Sequence, residues 1–177
     1  LKGWQAWVLR GEEYRACPFL ASRDSKNENS YRCAWPGRLG VEVDARGGQF
    51  TQRWQVLAES WIALPGSAEV WPREVRVNGN PAAVVLRGNI PQLRLLPGSY
   101  TIAGSFEWAA RPESLPLPSQ TALVDLIVDG QAVSQPERPS GALWLGKRNS
   151  TAQASVIDLQ VFRLVRDESP VYMTTRI

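Results

Sequence analysis

Apolar side chains recur at every second position through most of this chain, and this period of two limits the fold more than any other feature. The clearest run consists of Tyr100, Ile102, Gly104, Phe106 and Trp108. Successive side chains of a β-strand point to opposite faces of the sheet. A run of this kind therefore predicts a strand with one buried face and one exposed face.

Short turn sequences separate the runs. Asn78-Gly79 and Asp129-Gly130 are strong signals for two-residue β-hairpins, and Gly47-Gly48 predicts a further turn. The predicted strands are 39–43, 50–58, 61–64, 75–77, 83–86, 93–95, 100–108, 122–128, 143–145 and 155–165. Short strands joined by Gly and Pro turns predict an all-β fold, an antiparallel β-sandwich of jelly-roll type. Since no long helical pattern alternates with these strands, an α/β fold is disfavoured.

One short helix is predicted at the start of the chain. Leu1, Trp4 and Val8 recur at helical spacing, and Gly11 follows as a stop. We therefore divide the chain into a helix and loop segment at 1–38, a β-sandwich at 39–165, and the start of a following strand or domain at 166–177. The chain begins without Met and ends within an alternating run, so we expect it to be a piece of a longer protein.

Cys17 and Cys33 enclose a polar stretch at 22–30 that cannot bury itself and predicts a surface loop. The interpretation that we favour is a disulfide that closes this loop and packs residues 1–38 on the core, formed in an oxidising compartment. The alternative is a pair of buried free thiols in a cytosolic protein. A metal site is not expected, because the chain has these two Cys and no His.

The sequence lacks the residues that several classes of function require. Triads of the Ser-His-Asp or Cys-His type require an imidazole, which the sequence does not contain. No phosphate-binding or dinucleotide-binding Gly motif occurs, and we expect no cofactor. The net charge of +3 is spread along the chain without a basic cluster, so nucleic acid is not an expected partner. The sequence has no apolar run long enough for a membrane-spanning helix.

Paired carboxylates are the remaining catalytic chemistry, since glycoside hydrolysis uses two of them across a cleft. The candidates are Glu107, Glu113, Asp125 and Asp129. Their positions on strands, in a loop and in a turn favour solvated structural residues. We therefore predict that the chain is not an enzyme.

The eight Trp residues support the best binding hypothesis. Many β-sandwiches stack sugar rings on aromatic side chains and use nearby polar groups to bind the hydroxyls. The predicted sugar-binding residues are Trp71, Trp108, Trp144, Arg111, Glu113 and Asn149. Core packing is the alternative, since Trp54 and Trp108 continue alternating runs.

Three segments carry a resemblance to a known group of proteins: CPF at 17–19, RCAWPGRL at 32–39 and LPGSYTIAGSFEW at 96–108. They resemble the N-terminal region of large proteobacterial envelope proteins, which are exported, membrane-anchored and built from successive β-domains. The resemblance covers nearly the whole chain. It implies a periplasmic location and a disulfide, and it implies no activity.

These observations give three hypotheses in order of preference. The first is a non-catalytic, periplasmic β-sandwich module of a larger cell-envelope protein, with a structural or interaction role. Its partners would be other domains of the same protein, glycans or envelope proteins. The second is a carbohydrate-binding module that uses surface Trp residues. The third is a fragment of a carbohydrate-active enzyme.

Overall fold

The computed structural model describes residues 4, 7–20, 30–146, 162–166 and 172–176. The chain divides into two compact units, Leu1–Lys147 and Arg148–Ile177. The described residues of the first unit form twelve strands: β1 Ala34–Val43, β2 Gly47–Val56, β3 Ser60–Ala63, β4 Arg73–Val77, β5 Asn80–Pro81, β6 Val85–Arg87, β7 Ile90–Leu95, β8 Gly98–Glu107, β9 Ser114–Pro116, β10 Val124–Val128, β11 Gln131–Val133 and β12 Ala142–Trp144. Short 3-10 helices lie at Glu13–Ala16 and Pro139–Gly141. The all-β prediction is confirmed.

The second unit contains a hairpin of β13, Phe162–Arg166, and β14, Tyr172–Arg176. Most of the predicted strand at 155–165 lies outside the described residues, and the sequence-based division into 39–165 and 166–177 stays a prediction. Alternation along a strand indicates a buried face, but it does not identify the sheet that the strand joins.

The predicted helix at residues 1–9 lies partly outside the described residues. Of those described, Trp4, Trp7 and Val8 have helical backbone, and all three side chains are exposed. The indoles of Trp4 and Trp7 meet edge to face, with ring centroids 6.1 Å apart.

One large sheet organises the first unit, with strand order β11-β10-β1-β2-β8-β4-β5. Smaller sheets of order β3-β7-β6 and β12-β9 accompany it. Nearly all pairs are antiparallel, as predicted. The exception is β1, which pairs with β10 in parallel, Leu39 lying opposite Val124. The sheet is therefore mixed, and the jelly-roll detail stays a prediction.

Strand β2 shows how the alternating sequence produces the core. Phe50, Gln52, Trp54 and Val56 are buried, and the residues between them are exposed. Gln52 is tolerated in this apolar row because its amide is satisfied on both sides. Its Nε2 donates to the carbonyl of Gly37 at 3.0 Å, and its Oε1 accepts from the indole of Trp54 at 3.2 Å.

A single apolar cluster joins the large sheet to the smaller ones. Its buried members are Leu39, Val41, Val43, Phe50, Trp54, Val56, Ile62, Leu64, Val75, Leu93, Leu95, Ile102, Phe106, Leu115, Leu126, Val128, Leu143 and Leu145. These residues come from all three sheets of the first unit, so one face of the large sheet is buried against the smaller sheets.

The glycine pair at 47–48 corrects one predicted turn. Both residues lie in β2, and the chain reverses before them, at 44–46. A Cβ on Gly48 would meet Val43 at 2.8 Å and the carbonyl oxygen of Glu42 at 3.0 Å. The pair is therefore explained by close packing inside the sheet rather than by turn geometry.

The return strand predicted at 83–86 is also corrected. After the turn at Asn78-Gly79 the chain returns at once as β5, where Asn80 pairs with Val77. The later residues form β6, which pairs with β7 in another sheet. Pro81 explains the early end of β5, because proline has no N–H to donate to the ladder.

Asp44 holds the turn between β1 and β2 together. Its carboxylate accepts hydrogen bonds from the backbone N–H of Arg46 at 2.6 Å and of Gly47 at 2.9 Å. These bonds favour the ionised carboxylate and hold the pKa of Asp44 below its usual value.

Acid should therefore weaken this turn. Because the folded pKa is lowered, the contribution of Asp44 is present above the unfolded pKa and is lost as the pH falls through the folded pKa. We expect Asp44→Asn, which cannot ionise, to reduce the loss of stability that urea unfolding measures as the pH falls below about 5. Glu42→Gln, an equal change of charge two residues away, is the control. Identical pH profiles for wild type and Asp44→Asn would contradict this expectation.

Candidate functional site

Two of the predicted sugar-binding residues lie near the turn between β1 and β2. Trp108 is half-buried, stacks on Phe106 with ring centroids 6.2 Å apart, and donates from its indole to the carbonyl of Asp44 at 3.3 Å. Arg111 forms an ion pair with Asp129 at 3.0 Å and also acts electrostatically on Asp44. Both side chains are therefore engaged by neighbouring parts of the fold.

The other predicted residues lie elsewhere. Trp144 is exposed on β12, and its ring lies against Gly146. Glu113 is exposed beside this strand, and its carbonyl accepts from the N–H of Leu145 at 2.8 Å. Trp71 is half-buried in the loop before β4, and Asn149 lies outside the described residues. The contacts thus place these residues in separate groups, and sugar binding by them stays a prediction.

The structure also contains a large concave surface at a place where the sequence indicated no site. It is a groove of about 1260 Å³ between the N-terminal segment and the strands β3 and β7. We call it the N-terminal groove. One wall carries Tyr14 and Tyr31, and the other carries Trp61 of β3 and Arg94 of β7. The small side chains of Ala34 and Ala58 also line it.

The disulfide fixes the first wall of the N-terminal groove. Cys17 and Cys33 are bonded, with their Cα atoms 5.0 Å apart, and Cys17 is buried. Backbone bonds continue the link, since Leu20 N donates to Ser30 O at 2.7 Å and Arg32 N donates to Pro18 O at 2.9 Å. The segment that follows the 3-10 helix is thereby held against the start of β1.

Aromatic side chains line both walls. The rings of Tyr14 and Tyr31 meet edge to face at 5.3 Å, and Phe19 packs on Tyr31 at the same distance. Trp61 of β3 is 42% exposed, and the guanidinium of Arg87 lies over its ring at 4.3 Å from the centroid.

Charged groups of both signs accompany these rings. Arg94 and Glu59 form an ion pair at 2.7 Å, and both side chains are largely exposed. Glu13 and Arg32 also line the groove. Its lining therefore includes two carboxylates and two guanidinium groups among the described residues. The groove offers planar hydrogen-bonding groups without a net charge.

The carboxylates considered for glycoside hydrolysis are engaged in surface ion pairs or exposed. Asp125 pairs with Arg38 at 2.7 Å, and Glu107 pairs with Arg73 at 2.9 Å. Two other carboxylates, Glu13 and Asp44, have lowered pKa values, first of all because backbone N–H groups donate hydrogen bonds to them. A general acid needs a raised pKa, so these two shifts run against that role.

No cluster of potential metal ligands occurs among the described residues, and none of the described helices is long and apolar enough to cross a membrane. The observed bridge is of the kind that forms in oxidising compartments.

Comparisons with known proteins do not identify a family for this chain. No family model and no curated protein matches the chain. Among solved structures, it is similar to an M1 zinc metallopeptidase from Deinococcus radiodurans, with 12% identity and a TM-score of 0.36 over 65% of this chain and 38% of that one. A mutant of that peptidase bound to a Tyr-Ser-Ala substrate gives the same score over 67% and 40%. The chain spans about two fifths of these structures, and a likeness at this score supports no conclusion.

Proposed function

We propose that this chain is a non-catalytic periplasmic β-module of a larger cell-envelope protein, with a structural or interaction role. The observation that carries the proposal is the disulfide between Cys17 and Cys33. Disulfides form and persist in oxidising compartments and are rare in the cytosol. Among its described residues, the segment that this bridge fastens contributes few buried side chains, so the bridge determines whether the segment stays docked.

The side chains support binding or scaffolding more than catalysis. The sequence has no His, and its Cys residues are oxidised and therefore not nucleophiles. Arg38, Arg73 and Arg111 neutralise carboxylates that a glycosidase would use. What remains is an open aromatic groove, which suits recognition without requiring a reacting group.

Exposed apolar side chains support an interaction role. Trp4, Trp7 and Val8 are each more than half exposed, and Leu96 and Leu123 are exposed to a similar degree. Single exposed apolar residues are ordinary. Three at helical spacing form a stripe that another domain of the parent protein would cover.

A reporter fusion tests the proposed compartment. A phosphatase that needs disulfides for activity is joined at Ile177 within the natural gene and expressed in the native host. We expect full phosphatase activity from this fusion and no fluorescence from a matched fusion to a protein that fluoresces only in the cytosol. The reverse result, together with two reactive thiols in unfolded, unreduced protein, would contradict the proposal.

A further inference from the structure

We infer that the N-terminal groove binds a neutral oligosaccharide between Tyr14 and Tyr31 on one wall and Trp61 on the other. This inference rests on the proposed role as an interaction module and gives that role a ligand class. It also assigns sugar binding to residues other than the Trp residues that the sequence indicated.

The size of the groove fits a chain molecule. Its volume of about 1260 Å³ exceeds the roughly 300–1,000 Å³ of ordinary small-molecule pockets. Leu57, Glu59 and Gln120 line it and are exposed, so the groove is open to solvent. An open cleft of this size accommodates several linked sugar rings rather than one enclosed ligand.

The aromatic lining matches the apolar faces of sugar rings. A pyranose presents C–H groups on its faces and hydroxyls around its edge, and aromatic side chains pack on such faces. Trp61 retains 42% of its surface exposed although Arg87 covers one side of the ring. Tyr14 and Tyr31 add two further aromatic rings to this lining.

The polar lining matches the hydroxyls. Carboxylate and guanidinium groups bind pairs of adjacent hydroxyls with two parallel hydrogen bonds. Glu59 and Arg94 form an exposed ion pair, which contributes little to stability and can therefore turn to a ligand at small cost. The equal number of Glu and Arg groups favours a neutral ligand over a polyanion such as nucleic acid.

The disulfide controls one wall of this site. Tyr14 precedes Cys17 and Tyr31 precedes Cys33, and the Sγ of Cys33 lies 3.7 Å from the carbonyl oxygen of Tyr14. Reduction of the bridge removes the covalent link between the two segments that carry these tyrosines. Binding should therefore depend on the redox state while the β-sheets remain folded.

Calorimetric titration of the intact chain with neutral hexasaccharides (cello-, malto-, chito- and mannohexaose) tests the inference. We expect at least one to bind, and Trp61→Ala and Tyr14→Ala each to weaken binding by about tenfold, which corresponds to ~1.4 kcal/mol. Leu86→Ala is the control, since it removes an exposed apolar side chain outside the groove. It should leave the affinity unchanged. Reduced protein should bind as weakly as Tyr14→Ala, with an unchanged far-UV circular dichroism spectrum.

Three outcomes would overturn the inference. Absence of binding by all four sugars is the first. The second is loss of binding in Trp144→Ala but not in Trp61→Ala, which would place the site on β12. The third is binding of an extended hexapeptide instead, lost in Trp61→Ala, since β3 is an edge strand that a peptide could extend. Release of shorter sugars from a bound hexasaccharide would contradict the non-catalytic proposal and leave the groove assignment standing.

Discussion

Phe106→Ala should lower the free energy of unfolding by about 3–5 kcal/mol, the cost that large-to-small substitutions of buried aromatic residues have in protein cores. Phe106 is 2% exposed and lies between Phe50, at a ring-centroid distance of 5.5 Å, and Trp108, at 6.2 Å. Its ring also lies 3.2 Å from the position of a Cβ on Gly66. The substitution therefore leaves a cavity bordered by several elements that cannot all collapse into it.

Thermal and urea unfolding of Phe106→Ala would measure this loss. For a chain of this size we expect the melting temperature to fall by roughly 10 °C. Thr101→Ala is the control, because it lies on the same strand with its side chain exposed on the opposite face. It should change stability by less than about 0.5 kcal/mol. Equal effects of the two substitutions would show that the packing around Phe106 does not stabilise the fold as described.

Removal of the disulfide should cost about 3 kcal/mol, the chain-entropy value for a loop of this length. The bonded residues are 16 positions apart, and the bridge joins the N-terminal segment to the beginning of β1. The core cluster contains neither cysteine, so we expect the sheets to remain folded without it. Hydrogen exchange should accelerate at 13–20 and 30–33 and remain slow in β1, β2 and β8.

The double variant Cys17→Ser/Cys33→Ser provides the control for this experiment. Reductant should lower the stability of wild type to that of the variant and should not affect the variant itself. If wild type is equally stable with and without reductant, the bridge does not restrict the unfolded chain as inferred. If β1 and β2 also lose protection, the N-terminal segment is part of the core rather than a docked wall.

Local patterns were sufficient to predict many of the strands and two of the tight turns. The turns at Asn78-Gly79 and Asp129-Gly130 were predicted correctly, and all four residues have positive φ. The alternation in β2 correctly predicts that Phe50, Gln52, Trp54 and Val56 share one buried face. In each case the signal depends on neighbours a few residues apart, where backbone geometry limits the alternatives.

Pairing between distant segments could not be predicted in this way. Nothing in the sequence near Leu39 indicates that β10 will lie beside β1, or that β6 will leave the hairpin of β4 and β5 for another sheet. Such contacts depend on how separate apolar faces bury one another. A period of two predicts which residues share a face of a strand, but it does not predict which strand will lie beside it.

The N-terminal groove was missed for the same reason. Tyr14 and Tyr31 are far from Trp61 in the sequence, and the fold alone brings them to the lining of one groove. One local signal was available, since each of these tyrosines lies shortly before a cysteine of the bridge. A crosslink brings its flanking residues together, so the pair could have been proposed as one surface.

The parallel pairing of β1 with β10 also has a consequence for the timing of folding. Strands made early and late in synthesis must meet before the hydrogen-bonding edge of β1 that faces β10 is covered. At about 5–20 residues per second, a ribosome takes several seconds to produce the segment between them. Throughout that interval β1 presents unpaired N–H and C=O groups to any other nascent chain. The same topology that encloses the finished core therefore makes crowded synthesis the period of greatest aggregation risk.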